Sequence, residues 1–219
     1  MSARLPCRRE AILGLCAASL FARSAAADDC SPERLENALK DIARTRASVT
    51  TLTGPFAQER RIGLLAAKVR STGTLTLVRP DRLRWELAPP DDAVYWVAPE
   101  GLAYKNRAGQ GRIDAGGAGD RVAAALDDMR ILLGGDLTRL RARYELRGTC
   151  LGDDPIVFEA VRRPGQSGAA QKIVFSFAAD LVSPKSAIII EGPRDETEIT
   201  FGRIQKNVPV DPARMRPPT

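Results

Sequence analysis

The sequence contains no histidine. That removes the commonest general base and the commonest metal ligand found in proteins. Aromatic residues make up only 5% of the 219 residues. No serine sits in a Gly-x-Ser-x-Gly elbow, and the glycine-rich stretch at residues 115–119 is not followed by Lys-Ser or Lys-Thr. The nucleophile turn of hydrolases and the phosphate-cradling loop are therefore both missing. Three acidic pairs occur: Asp91 with Asp92, Asp127 with Asp128, and Asp153 with Asp154. They fall in turns or on a helix and read as solvated charges rather than catalytic dyads. No catalytic residue, metal ligand set or cofactor site is assigned, and an enzyme is disfavoured. No apolar run approaches the ~20 residues needed to span a bilayer as a helix.

What is present begins with a leader. Met1 to Glu10 is basic, residues 11–22 are apolar, and Ser24-Ala-Ala-Ala-Asp28 offers small residues for cleavage. This pattern predicts a secretory signal peptide over residues 1–27 and one domain over residues 28–219. Arg8-Arg9 resembles a twin-arginine signal, but adjacent arginines are ordinary in any such leader and the general secretory route is favoured. Leu15 before Cys16 is not the small residue that lipid attachment needs. Losing four arginines and one glutamate lowers the formal charge from +6 to +3, which is no nucleic-acid footprint. Of four cysteines, Cys30 and Cys150 remain, an even pair in an oxidising compartment. A disulfide between them would stabilise by roughly 4–5 kcal/mol on the chain-entropy model; two free thiols are the alternative.

Ser31 as N-cap and Pro32 at the first helical position predict a helix with Leu35, Leu39 and Ile42 on its apolar stripe. Strands dominate from Val49 onward. Residues 50–60 and 62–69 are strand-like, Pro89-Pro-Asp-Asp92 is a turn, and residues 94–97, 102–106 and 112–114 are strands in hairpin order. Residues 120–133 predict a second helix, begun by Asp120 and ended by Gly134-Gly135. Its stripe is Val122, Leu126, Met129 and Leu133, with Leu132 and Ala125 alongside. A glycine hinge before it and a glycine pair after it suit a lid; an ordinary packed crossover helix is the alternative. Residues 140–146 alternate cleanly, with Leu140, Ala142, Tyr144 and Leu146 inward. Further strands are expected from Pro155, over 172–178, 185–191, 196–202 and 204–209, followed by an extended tail.

The run from Gly73 to Leu87 organises the chain. Leu75, Leu77, Leu83, Trp85 and Leu87 alternate with Thr74, Thr76, Arg82, Arg84 and Glu86, which makes two half-buried strands joined at Arg79-Pro80-Asp81. By parity Arg79 belongs on the apolar face, where a guanidinium needs acceptors. Alternatively the strand has ended by Arg79 and the side chain reaches water. Two helices cannot fill the concavity of about ten or eleven strands, so a cavity between sheet and lid is expected. Its candidate wall is Leu75, Leu77, Leu83, Trp85, Phe175, Phe177, Ile199 and Phe201. Plain core packing is the alternative for each of these residues.

The block Ser71-x-Gly-x-Leu-x-Leu-x-Arg-Pro-x-x-Leu-Arg-Trp85 resembles the LolA family of periplasmic lipoprotein carriers. Phe56-Ala-Gln58 upstream, Asn207-Val-Pro-Val-Asp211 and Pro217-Pro218 extend the resemblance over nearly all of the chain after the leader. The resemblance implies a mainly β fold with α elements: an incomplete, half-open antiparallel β-barrel of about ten or eleven strands, covered by an N-terminal helix and a lid helix, hollow inside. It implies that Arg79 bonds lid carbonyls and holds the empty cavity shut. Leu83 stands where relatives often carry Phe, and Trp85 falls on the family's Trp. The Phe-x-Phe-x-Pro-Pro ending of many relatives reads Met215-Arg216-Pro217-Pro218, so a shortened last strand is expected.

The function implied is a soluble monomeric carrier in the periplasm of a Gram-negative envelope. It would bind the acyl chains of lipoproteins or a related lipid and move them toward the outer membrane. Its expected partners are that acylated lipoprotein or lipid cargo, an inner-membrane release complex and an outer-membrane receptor. The alternatives are a LolA-like lipid-binding or sensor module that does not shuttle, and a LolB-like receptor, disfavoured because no lipid-attachment Cys starts the mature chain.

Overall fold

The computed structural model describes residues 28–63, 67–114, 121–134, 136–150, 156–166 and 170–218, and the side chains of Asp28, Asp114, Arg121 and Val122 lie outside that description. Residues 1–27, where a signal peptide is expected, Asp153, Asp154 and the glycine-rich residues 115–119 with Asp120 fall outside it as well.

Among the described residues thirteen strands form one antiparallel sheet, with helix α1 (Pro32–Arg46) near the start and α2 (Arg121–Gly134) in mid-chain. In chain order the strands are β1 (Asp28–Asp29), β2 (Thr51–Ile62), β3 (Ala67–Val78), β4 (Arg82–Leu87), β5 (Ala93–Ala98), β6 (Gly101–Asn106), β7 (Gly109–Asp114), β8 (Tyr144–Cys150), β9 (Val157–Arg162), β10 (Lys172–Phe177), β11 (Pro184–Ile190), β12 (Glu196–Phe201) and β13 (Gln205–Lys206). Eleven of these, β2 to β12, run six residues or more. Two meanders, β2 to β7 and β8 to β12, join where β12 pairs with β2. β7 and β1 are the two ends of the order, so the sheet is an open barrel.

Register puts the alternation where the sequence expects it. Leu75 faces Trp85, Leu77 faces Leu83, and Leu83 faces Val97 across β3, β4 and β5. Phe201 faces Phe56 and Phe175 faces Phe158 in the other half. All of these point to the inner face and all are buried. Phe56 stacks on Trp85 at 3.9 Å between ring centroids, and Phe201 meets the Trp85 edge at 6.4 Å. A side chain at Gly73 would meet the Phe56 ring at 2.5 Å, so this glycine makes room for the stacked pair.

Ser31 caps α1, its Oγ accepting from the Arg34 amide at 3.2 Å, and Pro32 opens the helix. Leu35, Leu39 and Ile42 are buried, and so is Arg46, next along the same stripe. Cys30 and Cys150 are bonded, with Cα atoms 5.2 Å apart, which pins the start of α1 to β8.

Two sequence expectations are corrected here. Residues 140–146 are not one strand: Leu137–Ala142 is a 3-10 turn, and β8 starts at Tyr144. Three residues per turn bring Leu137 and Leu140 to one buried face. Leu140 and Tyr144, both inward, then mimic period-2 spacing, while Ala142 is exposed. The expected last strand over 204–209 shrinks to β13, and Pro212–Met215 is a short 3-10 turn rather than extended chain. That tail crosses the outer face, where Trp96 Nε1 donates to the Arg214 carbonyl at 2.9 Å.

Candidate functional site

The inner face of the sheet is the candidate site. Leu75, Leu77, Leu83, Trp85, Phe175, Phe177, Ile199 and Phe201 belong to one continuous apolar cluster with Leu126, Met129 and Leu133 of α2. Phe158, Phe175 and Phe177 meet as an aromatic group, with centroids 5.2–6.0 Å apart. The structure therefore brings the expected wall and the expected lid face together. Val122 lies outside the described side chains.

The surfaces meet directly. Met129 and Leu133 of α2 are 1% exposed, as is Leu83 of the same apolar cluster. Concavities of about 690, 470 and 190 Å³ are present, and the last includes Leu83 in its lining. The first is lined by the outward-facing Pro55, Ala57, Thr72, Thr74, Glu86 and Thr200 and also by Phe56, Leu87 and Phe201 of the inner face. α2 packs directly against part of this inner face.

α2 is also held on its polar side. Asp128 is 1% exposed; its Oδ2 accepts from the Tyr144 hydroxyl at 2.5 Å and its Oδ1 from Arg143. Asp127 accepts from Arg143 at 3.1 Å and from Arg130 at 2.6 and 3.0 Å. Reading Asp127 and Asp128 as solvated charges fails for Asp128, because the 3-10 turn and the start of β8 enclose that side of the helix. Burial pushes the Asp128 carboxyl up to about 6, against the pull of the Arg143 charge and the Tyr144 hydrogen bond.

The sign of the resulting pH dependence is fixed. The native state holds this proton more tightly than the unfolded chain, so stability rises as pH falls through about 6. The contribution has a ceiling of about 3 kcal/mol. Asp128→Asn is expected to flatten that rise between pH 7.5 and 5. Urea midpoints of the two proteins at both pH values check it; equal slopes would refute the assignment.

The residue that sequence reasoning missed is Arg46. It is 1% exposed at the end of α1. Nε donates to the Leu181 carbonyl at 3.1 Å, Nη2 to Val182 at 3.0 Å, and Nη1 to Leu132 of α2 at 2.9 Å. The guanidinium lies 4.1 Å from the centroid of Phe177, one of the wall residues. One side chain thus joins α1, α2 and the turn between β10 and β11. Asp180 builds that turn, accepting from the Val182 and Ser183 amides at 2.9 and 2.8 Å and from Lys206 at 3.0 Å. Burial foremost, and the Arg79 charge next, pull the Arg46 pKa down to about 9, with Asp180 opposing. An arginine still carries its charge at neutral pH.

Arg79 is half-buried, and its Nη1 donates to the backbone carbonyl of Arg46. The resemblance assigns Arg79 to the lid carbonyls; here the guanidinium that donates to a lid carbonyl is Arg46. The signal was in the sequence: positions 35, 39, 42 and 46 make one stripe, and its last member is an arginine.

Among the described residues no group of three or more His, Cys, Asp or Glu is placed to hold a metal, and no helix is long and apolar enough to cross a membrane.

Comparison with known proteins gives one family. The family described as outer membrane lipoprotein carrier protein LolA matches residues 47–96, which hold β2 to β4 and most of β5. That span is shorter than the resemblance read from the sequence. No curated protein matches the chain. Similar solved structures include a DUF1329 family protein from Desulfovibrio piger, with 9% identity and TM-score 0.47 over 83% of this chain and 96% of that one. A LolA superfamily protein from Nitrosomonas europaea has 10% identity and TM-score 0.44 over 83% and 96%. The lipoprotein LppX of Mycobacterium tuberculosis has 13% identity and TM-score 0.43 over 83% and 99%.

Proposed function

We propose that this LolA-like chain is an envelope carrier that binds the acyl chains of a lipid or lipoprotein against the inner face of its sheet once α2 has moved aside. One observation carries the reading. An open sheet has a continuous apolar inner face, and the helix over its β3 to β5 half is tied down by polar contacts to named residues. Each buried CH₂ of an acyl chain is worth about 0.8 kcal/mol, so a chain of ordinary length gains enough to displace a short helix. The family match over residues 47–96 supports the same ligand class. Leu75, Leu77, Leu83, Trp85, Phe175, Phe177, Ile199 and Phe201 are the proposed wall, and Leu126, Met129 and Leu133 the proposed lid face. The chain acts as a monomeric periplasmic binder rather than an enzyme, with an inner-membrane donor and an outer-membrane acceptor.

Photocrosslinking tests it. A photoreactive phenylalanine at Leu87 on the inner face, and another at Leu126 on α2, are expected to capture a diacylated lipopeptide. The same probe at Lys105, on the outer face, is expected to capture none. Equal capture at all three positions, or none at any, would defeat the proposal. A module that binds without shuttling is the second reading, favoured by the double fastening of α2 through Arg46 and Asp128. Bound lipopeptide that never passes to outer-membrane vesicles would select it.

A further inference from the structure

Arg46 is an odd neighbour for an acyl chain. Its guanidinium lies on the Phe177 ring, inside the proposed wall. Its hydrogen-bond partners are three backbone carbonyls, none of them a carboxylate. A second guanidinium, from Arg79, is close enough to donate to the Arg46 carbonyl. Asp180, whose oxygens are engaged by Ser183, Val182 and Lys206, is the nearest acidic influence. Two positive charges thus stand together beside Phe177, and Asp180, the acid that acts on Arg46, is already engaged by other groups.

Opening makes the imbalance worse. The turn carbonyls of Leu181 and Val182 belong to the sheet and stay with Arg46 when α2 lifts. The Leu132 carbonyl belongs to α2 and leaves. Nη1 then takes water as its acceptor until an acyl chain fills the site, excludes that water and leaves a charged donor unsatisfied, which is costly. A ligand shifts the closed–open equilibrium only by what it gains more in one state than in the other. A purely hydrocarbon ligand cannot restore this hydrogen bond. A ligand that brings a phosphate oxygen to the vacated position restores it and supplies the missing negative charge.

We infer that Arg46 and Arg79 form a headgroup site at the base of the acyl-binding face, and that the bound lipid carries an anionic phosphate. This inference rests on the lipid-binding reading above and narrows it to a ligand class. Arg79 lies within the span that the LolA family matches, and Arg46 lies one residue before it.

Lipid transfer between vesicles tests it. Labelled dioleoylphosphatidylglycerol and labelled dioleoylglycerol share acyl chains, and only the first carries a phosphate. The protein is expected to move the anionic lipid at least fivefold faster. Arg46→Met, which keeps the length and removes the charge, is expected to bring the two rates within twofold. Arg46→Lys, which keeps the charge, is expected to preserve most of the preference and covers the case in which the Met variant folds poorly. Arg44→Gln removes an exposed positive charge two residues away. It is expected to leave the preference intact; a loss equal to that of Arg46→Met would mean general attraction to the vesicle surface and would overturn the site. Glycerol 3-phosphate, which lacks acyl chains, is expected not to compete. If it competes as well as the lipid, the site reads a free anion and the lipid assignment falls. Equal transfer of both lipids by the unaltered protein refutes the headgroup site and leaves lipid binding standing. Transfer of neither lipid, with no lipopeptide crosslink, defeats the lipid-binding reading itself.

Discussion

Arg46→Ala is expected to lower stability by about 3–5 kcal/mol, the range for removing one partner of a buried charged network. Three carbonyls lose their donor together, and the Phe177 face loses its cover. The loss should not be spread evenly over the molecule. The Leu132 carbonyl is the acceptor that α2 contributes, and a hydrogen bond to a charged group is worth about 1.5–3 kcal/mol. Amides of residues 126–134 should therefore exchange with solvent roughly 10- to 100-fold faster, while the β2 to β4 core changes only with global stability. Arg46→Met should soften the stability loss, because volume is conserved, but not the faster exchange of α2. Urea titration and amide exchange check both parts. A stability change under about 1 kcal/mol, or exchange in α2 no faster than in β3, would show that the guanidinium does not hold the helix. Arg79 is expected to matter less to stability, because it is half-buried and its acceptor is the backbone of Arg46, which the Ala variant retains.

Much of the sheet was legible in the sequence because its signals are local. Period-2 spacing from Gly73 to Leu87 specifies two strands, and register across β3 and β4 follows directly. Ser31 and Pro32 mark the start of α1 by cap chemistry that needs no tertiary contact. Asp128 and Arg46 were misread because their deciding partners lie outside the helix that carries them. Asp128 falls on the side of α2 that carries Leu132 four residues on, yet the 3-10 turn that follows and Tyr144 enclose it. Arg46 closes an apolar stripe, yet its acceptors lie 86, 135 and 136 residues away. Counting helices against strands says that two helices leave room to spare, but it does not say which part of the inner face α2 covers; that depends on its contacts with the sheet and the 3-10 turn.

Removing the Cys30–Cys150 disulfide should lower stability by up to about 5 kcal/mol, since the bond closes a separation of 120 residues and chain entropy grows with loop length. For a domain of this size each kcal/mol moves the melting temperature by about 2–4 °C, so a fall of roughly 10–20 °C is expected in Cys30→Ser/Cys150→Ser. The location of the bond makes a sharper statement. It fixes the first turn of α1 to β8, next to Gly148, where a side chain would meet Cys30 Sγ and Leu35 at 3.3 Å. The other end of α1 is fixed by Arg46 to the turn between β10 and β11. α1 is thereby fastened at both ends to the same half of the sheet and serves as a fixed strut, so in the proposed function α2 is the helix that has to be released. Loss of the disulfide should speed amide exchange around Leu35 and Leu39 while the amides near Ile42, beside the Arg46 clasp, stay protected. Lipopeptide capture at Leu126 should survive at temperatures where the variant remains folded. If the double serine variant melts within about 3 °C of the parent, or if α1 loosens uniformly along its length, then α1 is not held separately at its two ends and the division between a fixed helix and a moving one has no basis.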